Sequence, residues 1–347
     1  MTVRATTARD FAHRVLVRAG VGERDAAVMA DSLIAAEHAG HAGHGLARLP
    51  GYVGRLAAGG TVSAPWRAIT ARGPVEVYDG RAGLGHVHIR DASDRALALA
   101  AEHGVGIVGV ANSNHCGALG THARRLAESG LVALMATNAP PALAPPGAVV
   151  AVLGSNAVAV AAPLRGRPPI VCDLSAAKVN RGAIMRAAQE GRPIPEGWAC
   201  DPEGRPTTDA NAALAGTIAP LGGSKGFALA LAIELVTGGL LGPATGPQVA
   251  DFFGPSLDVP QGVSLLVVAL DPSAFGDPDA CAARVATLAR AVEEAGPPGA
   301  TRLPGTRSAV HAERLGERVE VDAGLRATLD SLADDLGIPR LTEPEET

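Results

Sequence analysis

Along the first 58 residues, apolar positions recur at the three- and four-residue spacing of amphipathic helices. Thr7 and Asp10 have the spacing of a capping box and predict the start of a first helix, which Gly20 ends. A second helix is predicted from about Arg24, and a third ends at Gly59. The first two helices are expected to bury Phe11, Val15, Leu16, Val28, Met29, Leu33 and Ile34. This part of the chain is therefore predicted to form a small helical lobe.

From about residue 69 the pattern changes to short apolar runs, which predict strands, separated by stretches of helical spacing. The strands are expected at residues 75–78, 107–111, 131–136, 158–162, 170–174 and 263–270. The helices are expected at residues 92–102, 118–129, 183–189, 226–241 and 279–294. This alternation predicts an α/β protein.

Helical spacing returns near the C-terminus, where Asp322 is expected to cap a helix that Gly337 ends. The apolar stripe of this helix consists of Leu325, Leu329, Leu332 and Leu336. A helix of this kind is expected to pack back on the N-terminal lobe.

Composition supports a large aliphatic core and argues against several partners. The 347 residues are 47% hydrophobic but only 3% aromatic, and this length suits two or three domains, or one large domain with an added lobe. A net charge of -5 leaves no basic field for a nucleic-acid backbone. Four widely spaced cysteines and an N-terminus without an apolar signal segment indicate a reduced, cytoplasmic setting. The apolar segment 226–242 contains Glu234 and is shorter than a membrane span, so a helix buried within the protein is predicted there.

Candidate chemistry is concentrated in residues 37–52, where three of the ten histidines fall within seven residues. His38, His41 and His44 suggest a metal site. Their three-residue steps, however, match neither the four-residue helical step nor the cysteine pairs of common zinc sites. No metal is predicted on that basis.

His44 differs from the other two histidines because a glycine flanks it on each side, which lets backbone or ligand approach closely. Arg48 and Tyr52 follow it at four-residue steps, the spacing of surface neighbours on a helix. Pro50 does not fit inside a helix, so it is predicted in the first turn of a helix that carries Tyr52. His44 and Arg48 then lie in a short turn before that helix.

His115 lies in the stretch 113–117, between a predicted strand and a predicted helix, where α/β proteins usually bind ligands. It is therefore a candidate acid, base or hydrogen-bond donor. The neighbouring Cys116 is not expected to act as a nucleophile with His115, because adjacent side chains rarely face each other.

Two other stretches have the residue types that hold anions. The glycine-rich turn 221–226 introduces a helix and contains Ser224 and Lys225, which suits a phosphate or carboxylate. Ser175 and Arg181 follow another predicted strand and could also hold an anion.

Residues 104–109, Gly-Val-Gly-Ile-Val-Gly, match the glycine spacing of the dinucleotide fingerprint. That fingerprint requires a strand before it and a helix after it. Here the glycines follow a predicted helix and lead into a predicted strand, so they are expected to end the helix before a buried strand.

Eight stretches, spread over nearly the whole chain, carry a resemblance to one family. They are His44-Gly45-Leu46-Ala47-Arg48-Leu49-Pro50-Gly51-Tyr52, Ser113-Asn114-His115, Leu153-Gly154-Ser155-Asn156, Asp173-Leu174-Ser175, residues 193–198, residues 206–209, Gly222-Gly223-Ser224-Lys225-Gly226 and Arg302-Leu303-Pro304-Gly305. They resemble the malate/L-lactate dehydrogenases of the second type, which include ureidoglycolate dehydrogenase, diketogulonate reductase, sulfolactate dehydrogenase and piperideine-2-carboxylate reductase.

The resemblance implies an α/β fold with a mixed, largely antiparallel sheet flanked by helices, not a doubly wound Rossmann fold, and a helical lobe built from both termini. We assign residues 1–68 and 308–347 to the lobe and residues 69–307 to a cofactor-binding α/β domain. The resemblance also implies a homodimer with cofactor and substrate near the subunit interface.

By the same resemblance, a nicotinamide cofactor delivers hydride to a 2-oxo acid or a cyclic imino acid, and His44 supplies the proton. Arg48 would hold the substrate carboxylate, and Tyr52 and His115 would line the pocket beside Gly43. The cofactor-binding residues that the resemblance implies are Asp173, Leu174, Ser175, Ser224, Lys225, Gly226, Pro304 and Gly305.

Two positions depart from the family pattern. Gly43 stands where the family usually has a serine that assists proton relay, and Ser224 stands where it generally has a histidine. Arg181 occupies a position that is basic in the ketimine reductases and lies close to the adenosine ribose. A guanidinium suits a 2′-phosphate, so NADPH is predicted as the preferred cofactor, with NADH as the other possibility.

Three alternatives stay open from the sequence. The same fold could oxidise a 2-hydroxy acid rather than reduce an oxo acid. A metal-dependent hydrolase could use the histidine-rich stretch, and loss of activity on chelation would distinguish it. A relative that lost catalysis together with the family serine would bind cofactor without turnover.

Overall fold

The computed structural model describes residues 2–253, 255–297 and 299–342. Its helices are α1 Ala5–Arg18, α2 Glu23–His38, α3 Leu49–Ala58, α4 Gly85–His103, α5 Leu119–Glu128, α6 Arg181–Gln189, α7 Ala210–Ala215, α8 Ser224–Val236, α9 Gly238–Leu241, α10 Pro278–Glu293, α11 Thr306–Leu315 and α12 Ala323–Leu336. Its strands are β1 Thr2–Arg4, β2 Arg67–Arg72, β3 Val75–Asp79, β4 Val105–Ser113, β5 Val132–Thr137, β6 Pro141–Leu143, β7 Leu153–Gly154, β8 Ala157–Leu164, β9 Arg167–Ser175, β10 Ala199–Cys200, β11 Pro206–Thr207, β12 Thr217–Ile218, β13 Val263–Leu270 and β14 Arg318–Glu320.

The central element is a seven-stranded sheet in the order β2-β3-β4-β13-β5-β8-β9. Only the β3–β4 pair is parallel, and every other neighbouring pair is antiparallel. α4 and α5 cover one face through a cluster of small aliphatic side chains, as the low aromatic content requires. The expectation of a mixed, largely antiparallel sheet flanked by helices is therefore confirmed.

The two ends of the chain meet in one helical lobe. Buried side chains of α1, α2, α3 and α12 form a single cluster, and β1 pairs with β14. Asp322 caps α12 by accepting a hydrogen bond from the Leu325 amide at 2.8 Å, as predicted. The Thr7 capping box is wrong, because α1 begins at Ala5, directly from β1, and the Ala5 amide donates to Glu317 O instead.

The glycine pattern at 104–109 has the structural role expected of it. Gly104 ends α4 in the left-handed conformation, with φ of 79°, and β4 starts at the next residue. A Cβ at Gly106 would overlap the Ala96 carbonyl, so this glycine allows α4 to lie directly on β4. The fingerprint therefore marks helix-to-sheet packing rather than a phosphate site.

The prediction of a buried helix over residues 226–242 is wrong in part. Ser224–Leu241 is long and apolar enough to cross a membrane by composition, but it forms two helices broken at Thr237, and only 33% of it is buried in the chain. One side packs Ile233 against Ala136 and Leu266 of the sheet. The opposite side exposes Leu231, Leu235, Val236 and Leu240. A single chain provides a partner for only one face of this apolar helix.

A smaller layer of short strands and helices, β6, β7, β10–β12, α6 and α7, lies beside α8 and has its own buried cluster. Strands of two or three residues are too short to produce an alternating pattern. For this reason the sequence did not indicate them.

Candidate active site

The turn that carries His44 and Arg48 consists of two consecutive 3₁₀ turns, Ala42–His44 and Leu46–Arg48, followed directly by α3 with Pro50 in its first turn. This is the arrangement that the sequence predicted. The buried Glu37 stabilises the turn by accepting a hydrogen bond from the Leu46 amide at 2.8 Å. A Cβ at Gly45 would overlap the Glu37 carboxylate, so a larger residue here would displace the buried acid from its bond to Leu46.

Arg48 is directed by backbone and aromatic contacts rather than by an acid. Its Nε donates to the Gly43 carbonyl at 2.5 Å, and its guanidinium lies 4.4 Å from the ring centroid of Phe253 and 5.6 Å from that of Phe252. No ion pair to Arg48 occurs in the described part of the chain. The cation is thus oriented and available for an anionic ligand.

Four rings come together next to Arg48. His44 stacks on His115 with ring centroids 5.6 Å apart and an angle of 13° between the ring planes. Tyr52 Oη lies 2.7 Å from His115 Nδ1 and 2.8 Å from Nε2 of a further histidine, His86. The structure therefore brings together His44, Arg48, Tyr52 and His115, all four of which were singled out from the sequence.

The backbone of His115 is fixed from outside the cluster. Its amide donates to Gln261 Oε1 at 2.9 Å, and the preceding residue, Asn114, accepts from the Gln261 amide at 3.3 Å. Asn114 also donates from Nδ2 to Ala82 O at 2.7 Å. The histidine ring is thus positioned by contacts that do not involve the pocket.

Buried Arg55 joins α3 to the segment that supplies the aromatic contacts. Its guanidinium donates to Val259 O at 2.5 Å, to Asp251 O at 3.3 Å and to Gly60 O at 3.3 Å. Since α3 also carries Tyr52, both ends of the segment around Phe252 and Phe253 are tied to the helix that lines the pocket.

Burial sets the protonation of the cluster. Burial, together with the nearby Arg48 charge, lowers the pKa of His44 to about 4. It also lowers the pKa of His115 well below its usual range and raises that of Tyr52. All four rings are neutral at neutral pH. The Cys116 thiol has its pKa raised to about 12 by burial, so it is no nucleophile, as expected.

Four of the proposed cofactor residues, Asp173, Leu174, Pro304 and Gly305, line one cleft of about 580 Å³. Asp173 accepts a hydrogen bond from the Gly120 amide at 2.8 Å, which links the end of β9 to the start of α5. The same cleft contains three basic side chains that were not assigned to the cofactor from the sequence, Arg124, Arg302 and Arg307. None of the three has an acidic partner within the described residues.

The remaining proposed cofactor residues lie in two other places. Ser224 and Lys225 are exposed at the start of α8, near the end of β9, where Ala177 bridges to Pro220. Ser175 is the last residue of β9, and Gly226 is buried, where a Cβ would overlap the Leu221 backbone. Arg181 faces Asp251 at 4.0 Å, on the Phe252 side of the molecule.

Among the residues that the structure describes, no group of three or more His, Cys, Asp or Glu side chains could hold a metal ion. His38 instead hydrogen-bonds to Arg318 O at 3.1 Å, and His41 lines the cleft with the three arginines.

Comparison with known proteins connects this geometry to a family. A family model described as malate/L-lactate dehydrogenase matches residues 3–330. The chain belongs to this family. The resemblance drawn from the sequence motifs is thereby confirmed.

Three members of the family illustrate the range of similarity. The (2R)-3-sulfolactate dehydrogenase (NADP(+)) of Chromohalobacter salexigens is 42% identical over 315 residues, 90% of this chain and 92% of the relative. The Delta(1)-pyrroline-2-carboxylate/Delta(1)-piperideine-2-carboxylate reductase of Pseudomonas aeruginosa is 35% identical over 311 residues, 88% and 91% of the two chains. The solved structure of sulfolactate dehydrogenase from Methanocaldococcus jannaschii superposes with a TM-score of 0.88 at 30% identity, covering 97% and 98% of the two chains. The chain is therefore an oxidoreductase of this family.

The sequence missed several residues that complete the site in this dehydrogenase-family chain: His86, Phe252, Phe253, Gln261 and the cleft arginines. Helical spacing predicted α4 only from residue 92, whereas the helix begins at Gly85 and places His86 in its first turn. Gly85 and His86 directly follow a glycine-rich turn, and that turn was the only local signal of an earlier start.

Glu37 gives this turn a pH-dependent stability. Burial raises its pKa from 4.5 to about 7, so the folded protein holds the proton more tightly than the unfolded chain. The stabilisation of the folded state by this proton is complete below pH 4.5 and is lost as the pH rises to 7.

Glu37→Gln keeps the acceptor for Leu46 without a charge. We expect its free energy of unfolding, relative to wild type, to rise by up to about 3 kcal/mol between pH 4.5 and pH 8. Denaturant unfolding at both pH values measures the difference, and a constant difference would contradict the assignment.

Proposed function

We propose that the chain is an NADP-dependent oxidoreductase that interconverts a 2-oxo acid or cyclic imino acid with the corresponding 2-hydroxy or amino acid. The observation that carries this proposal is the convergence of His44, Arg48, Tyr52 and His115 in one cluster of contacting side chains. In this assignment Arg48 anchors the substrate carboxylate, and His44 exchanges the proton at the reacting oxygen or nitrogen. A bound nicotinamide would accept or supply the hydride.

The charge of Arg48 couples substrate binding to the protonation of His44. In the free protein, burial and the Arg48 charge keep the His44 ring neutral. The negative charge of a substrate carboxylate that pairs with Arg48 offsets the field of the guanidinium at His44, and this raises the pKa of His44. His44 then takes up a proton together with the anionic substrate and delivers it during reduction.

The neutral His44 ring of the free protein also supports the reverse reaction as a second candidate. In oxidation of a 2-hydroxy acid, an unprotonated imidazole is the form that accepts the hydroxyl proton. The names of the relatives include both a dehydrogenase of (2R)-3-sulfolactate and a reductase of cyclic imines. Both directions therefore belong in the same assay.

Gly43 leaves space on the pocket side of the turn. A Cβ at this position would meet no atom within 4 Å, and the carbonyl of Gly43 already orients Arg48. The hydroxyl that the family places here is absent, so water or the substrate must occupy the position. This supports a substrate with additional bulk near the reacting carbon.

The chemistry of the large cleft fits a phosphorylated cofactor. Guanidinium groups bind phosphate oxygens with paired hydrogen bonds, and Arg124, Arg302 and Arg307, which have no acidic partner among the described residues, lie beside Asp173, Pro304 and Gly305. Arg181 remains the residue that we assign to the 2′-phosphate.

NADPH is expected to be preferred over NADH by about tenfold or more in kcat/KM. Arg181→Ala should lower kcat/KM for NADPH and leave that for NADH nearly unchanged, because only NADPH has the 2′-phosphate. Arg307→Ala, as the matched control, should weaken both cofactors. Steady-state kinetics with both cofactors measures this. A wild-type preference for NADH, or equal losses in Arg181→Ala, would contradict the assignment.

The uncovered side of α8 and α9 supports a homodimer. Leu235 and Leu240 are 61% and 69% exposed and lie on a continuous apolar surface with Leu231 and Val236. A second copy of the chain would cover this surface. Light scattering of the purified protein tests this, and a monomer at micromolar concentration would refute it.

We also propose that the protein is cytoplasmic and binds neither nucleic acid nor a membrane.

The function is tested by following NADPH oxidation over a panel of 2-oxo acids, with 3-sulfopyruvate included, and preformed cyclic imines of the pyrroline and piperideine type. Oxidation of the matching 2-hydroxy and amino acids with NADP+ is measured in parallel. Turnover of at least one carboxylate substrate is expected. Tight NADPH binding without turnover across the panel would contradict the proposal and favour a non-catalytic relative.

A further inference from the structure

A buried histidine lies behind the pocket, and the proposed proton transfer does not use it. His86 is in the first turn of α4 and is 1% exposed. Its Nε2 lies 2.8 Å from Tyr52 Oη, which lies 2.7 Å from His115 Nδ1. Tyr52 thus connects a ring sealed from solvent to a ring that lines the pocket.

Two glycines allow this close arrangement. A Cβ at Gly85 would overlap the backbone carbonyls of Asn114 and His115, so the start of α4 lies directly against the His115 loop. A Cβ at Gly117 would overlap Cε1 of His86 and lie 3.0 Å from its Nδ1. Only a glycine at position 117 therefore leaves room for the His86 ring where it lies.

The hydrogen bonds of Tyr52 can run in only two directions, because the hydroxyl has one proton. Burial lowers the pKa of His86 to about 3, so its neutral ring has a single N–H. In the first direction, His86 donates from Nε2 to Tyr52, and Tyr52 donates to His115 Nδ1. In the second, His115 donates from Nδ1 to Tyr52, and Tyr52 donates to His86 Nε2.

The free atom of His86 decides between the two directions. Its Nδ1 is buried and has no hydrogen-bond partner among the described residues. The second direction would place an N–H at that position without an acceptor, whereas the first leaves only a lone pair. Buried N–H groups without an acceptor are rarer in proteins than buried acceptors without a donor. The first direction is therefore favoured.

The first direction also determines which ring nitrogen of His115 carries the proton. With its Nδ1 accepting from Tyr52, the neutral His115 ring has its proton on Nε2. His115 Nε2 makes no hydrogen bond to any described residue, and it is not sealed in the interior. It is thus an N–H group open to a ligand.

We propose that His86 is a positioning residue that, through Tyr52, holds His115 as the Nε2–H tautomer, so that His115 donates a hydrogen bond to the reacting oxygen or nitrogen of the substrate. Hydrogen bonds linked in series polarise one another, so the bonds that His86 and Tyr52 donate strengthen the Nε2–H group of His115 as a donor. His44 alone then transfers the proton. The substrate end of the inference rests on the proposed function, whereas the tautomers do not.

The tautomers are measured without substrate by long-range ¹H–¹⁵N correlation spectra of protein with ¹⁵N-labelled histidine, assigned with single His→Gln variants. Both His86 and His115 are expected as Nε2–H forms. Nδ1–H at either ring would overturn the proposal. This measurement stands even if no substrate is turned over, so its failure is distinct from failure of the proposed function.

Paired variants measure the contribution to turnover. His86→Leu removes the donor to Tyr52 and should lower kcat/KM by about tenfold, and His86→Gln, whose amide can donate, should recover most of the loss. His115→Gln should retain activity that His115→Leu loses, with an unchanged pH profile, because a donor does not titrate. Equal losses in both His86 variants would show a purely structural role. Loss of turnover in His115→Gln equal to that in His115→Leu would show that His115 transfers the proton. Either result would overturn the proposal.

Discussion

Replacing His44 with alanine is expected to lower kcat by about 10²- to 10⁴-fold while leaving the affinity for NADPH nearly unchanged. The expected loss is the usual contribution of a positioned acid or base. His44 stacks on His115 beside Arg48, whereas Arg124, Arg302 and Arg307, which we assign to the cofactor phosphates, line the large cleft. Removing the imidazole therefore removes the proton transfer and not the phosphate contacts.

The measurement combines steady-state kinetics with a direct titration of NADPH by fluorescence. His38→Ala is the matched control, because it comes from the same histidine-rich stretch but bonds to Arg318 O outside the pocket. In the oxidative direction, kcat/KM of the wild type should be level above about pH 5 and fall below it, since the neutral form of His44 is required and its pKa is about 4. Unchanged turnover in His44→Ala would refute the role.

Replacing Arg48 with methionine should lower kcat/KM by about 10²- to 10⁴-fold, mainly through a higher KM. The side chain length is kept, but the paired charge-assisted hydrogen bonds to the carboxylate are lost. Arg48 also lowers the pKa of His44, so the acid limb of the oxidative pH profile should move to higher pH in the same variant. A purely steric role of Arg48 would not move this limb.

Arg48→Lys is the matched control for charge. It keeps the cation but cannot form two parallel hydrogen bonds, so an intermediate loss is expected, together with an acid limb close to that of the wild type. Unchanged KM in Arg48→Met would show that another group anchors the carboxylate.

Local spacing was enough to predict the turn that carries His44 and Arg48. The steps between His44, Arg48 and Tyr52, with Pro50 between the last two, determine a turn followed by a helix, and these features lie within nine residues. Six of the seven strands of the central sheet were predicted from short apolar runs, whereas β2, whose six residues are all exposed, contains no such run and was missed.

The missing parts of the site depend on contacts between distant positions. His86 meets Tyr52 across 34 residues, and Gln261 meets His115 across 146. No local pattern encodes such pairs. The α8 prediction failed for a different reason, because an apolar sequence predicts burial but does not specify whether the covering surface comes from the same chain.

The buried guanidinium of Arg55 limits how this pocket can move. Opening the aromatic wall away from α3 would break its hydrogen bonds to the carbonyl oxygens of Asp251 and Val259, at a cost of about 1.5–3 kcal/mol for each charge-assisted bond. The wall around Phe252 is therefore a fixed boundary and not a lid. Substrates are then selected by their size against a rigid surface, so enlarging the range of accepted acids requires smaller side chains at Phe252 or Phe253 rather than a more flexible loop.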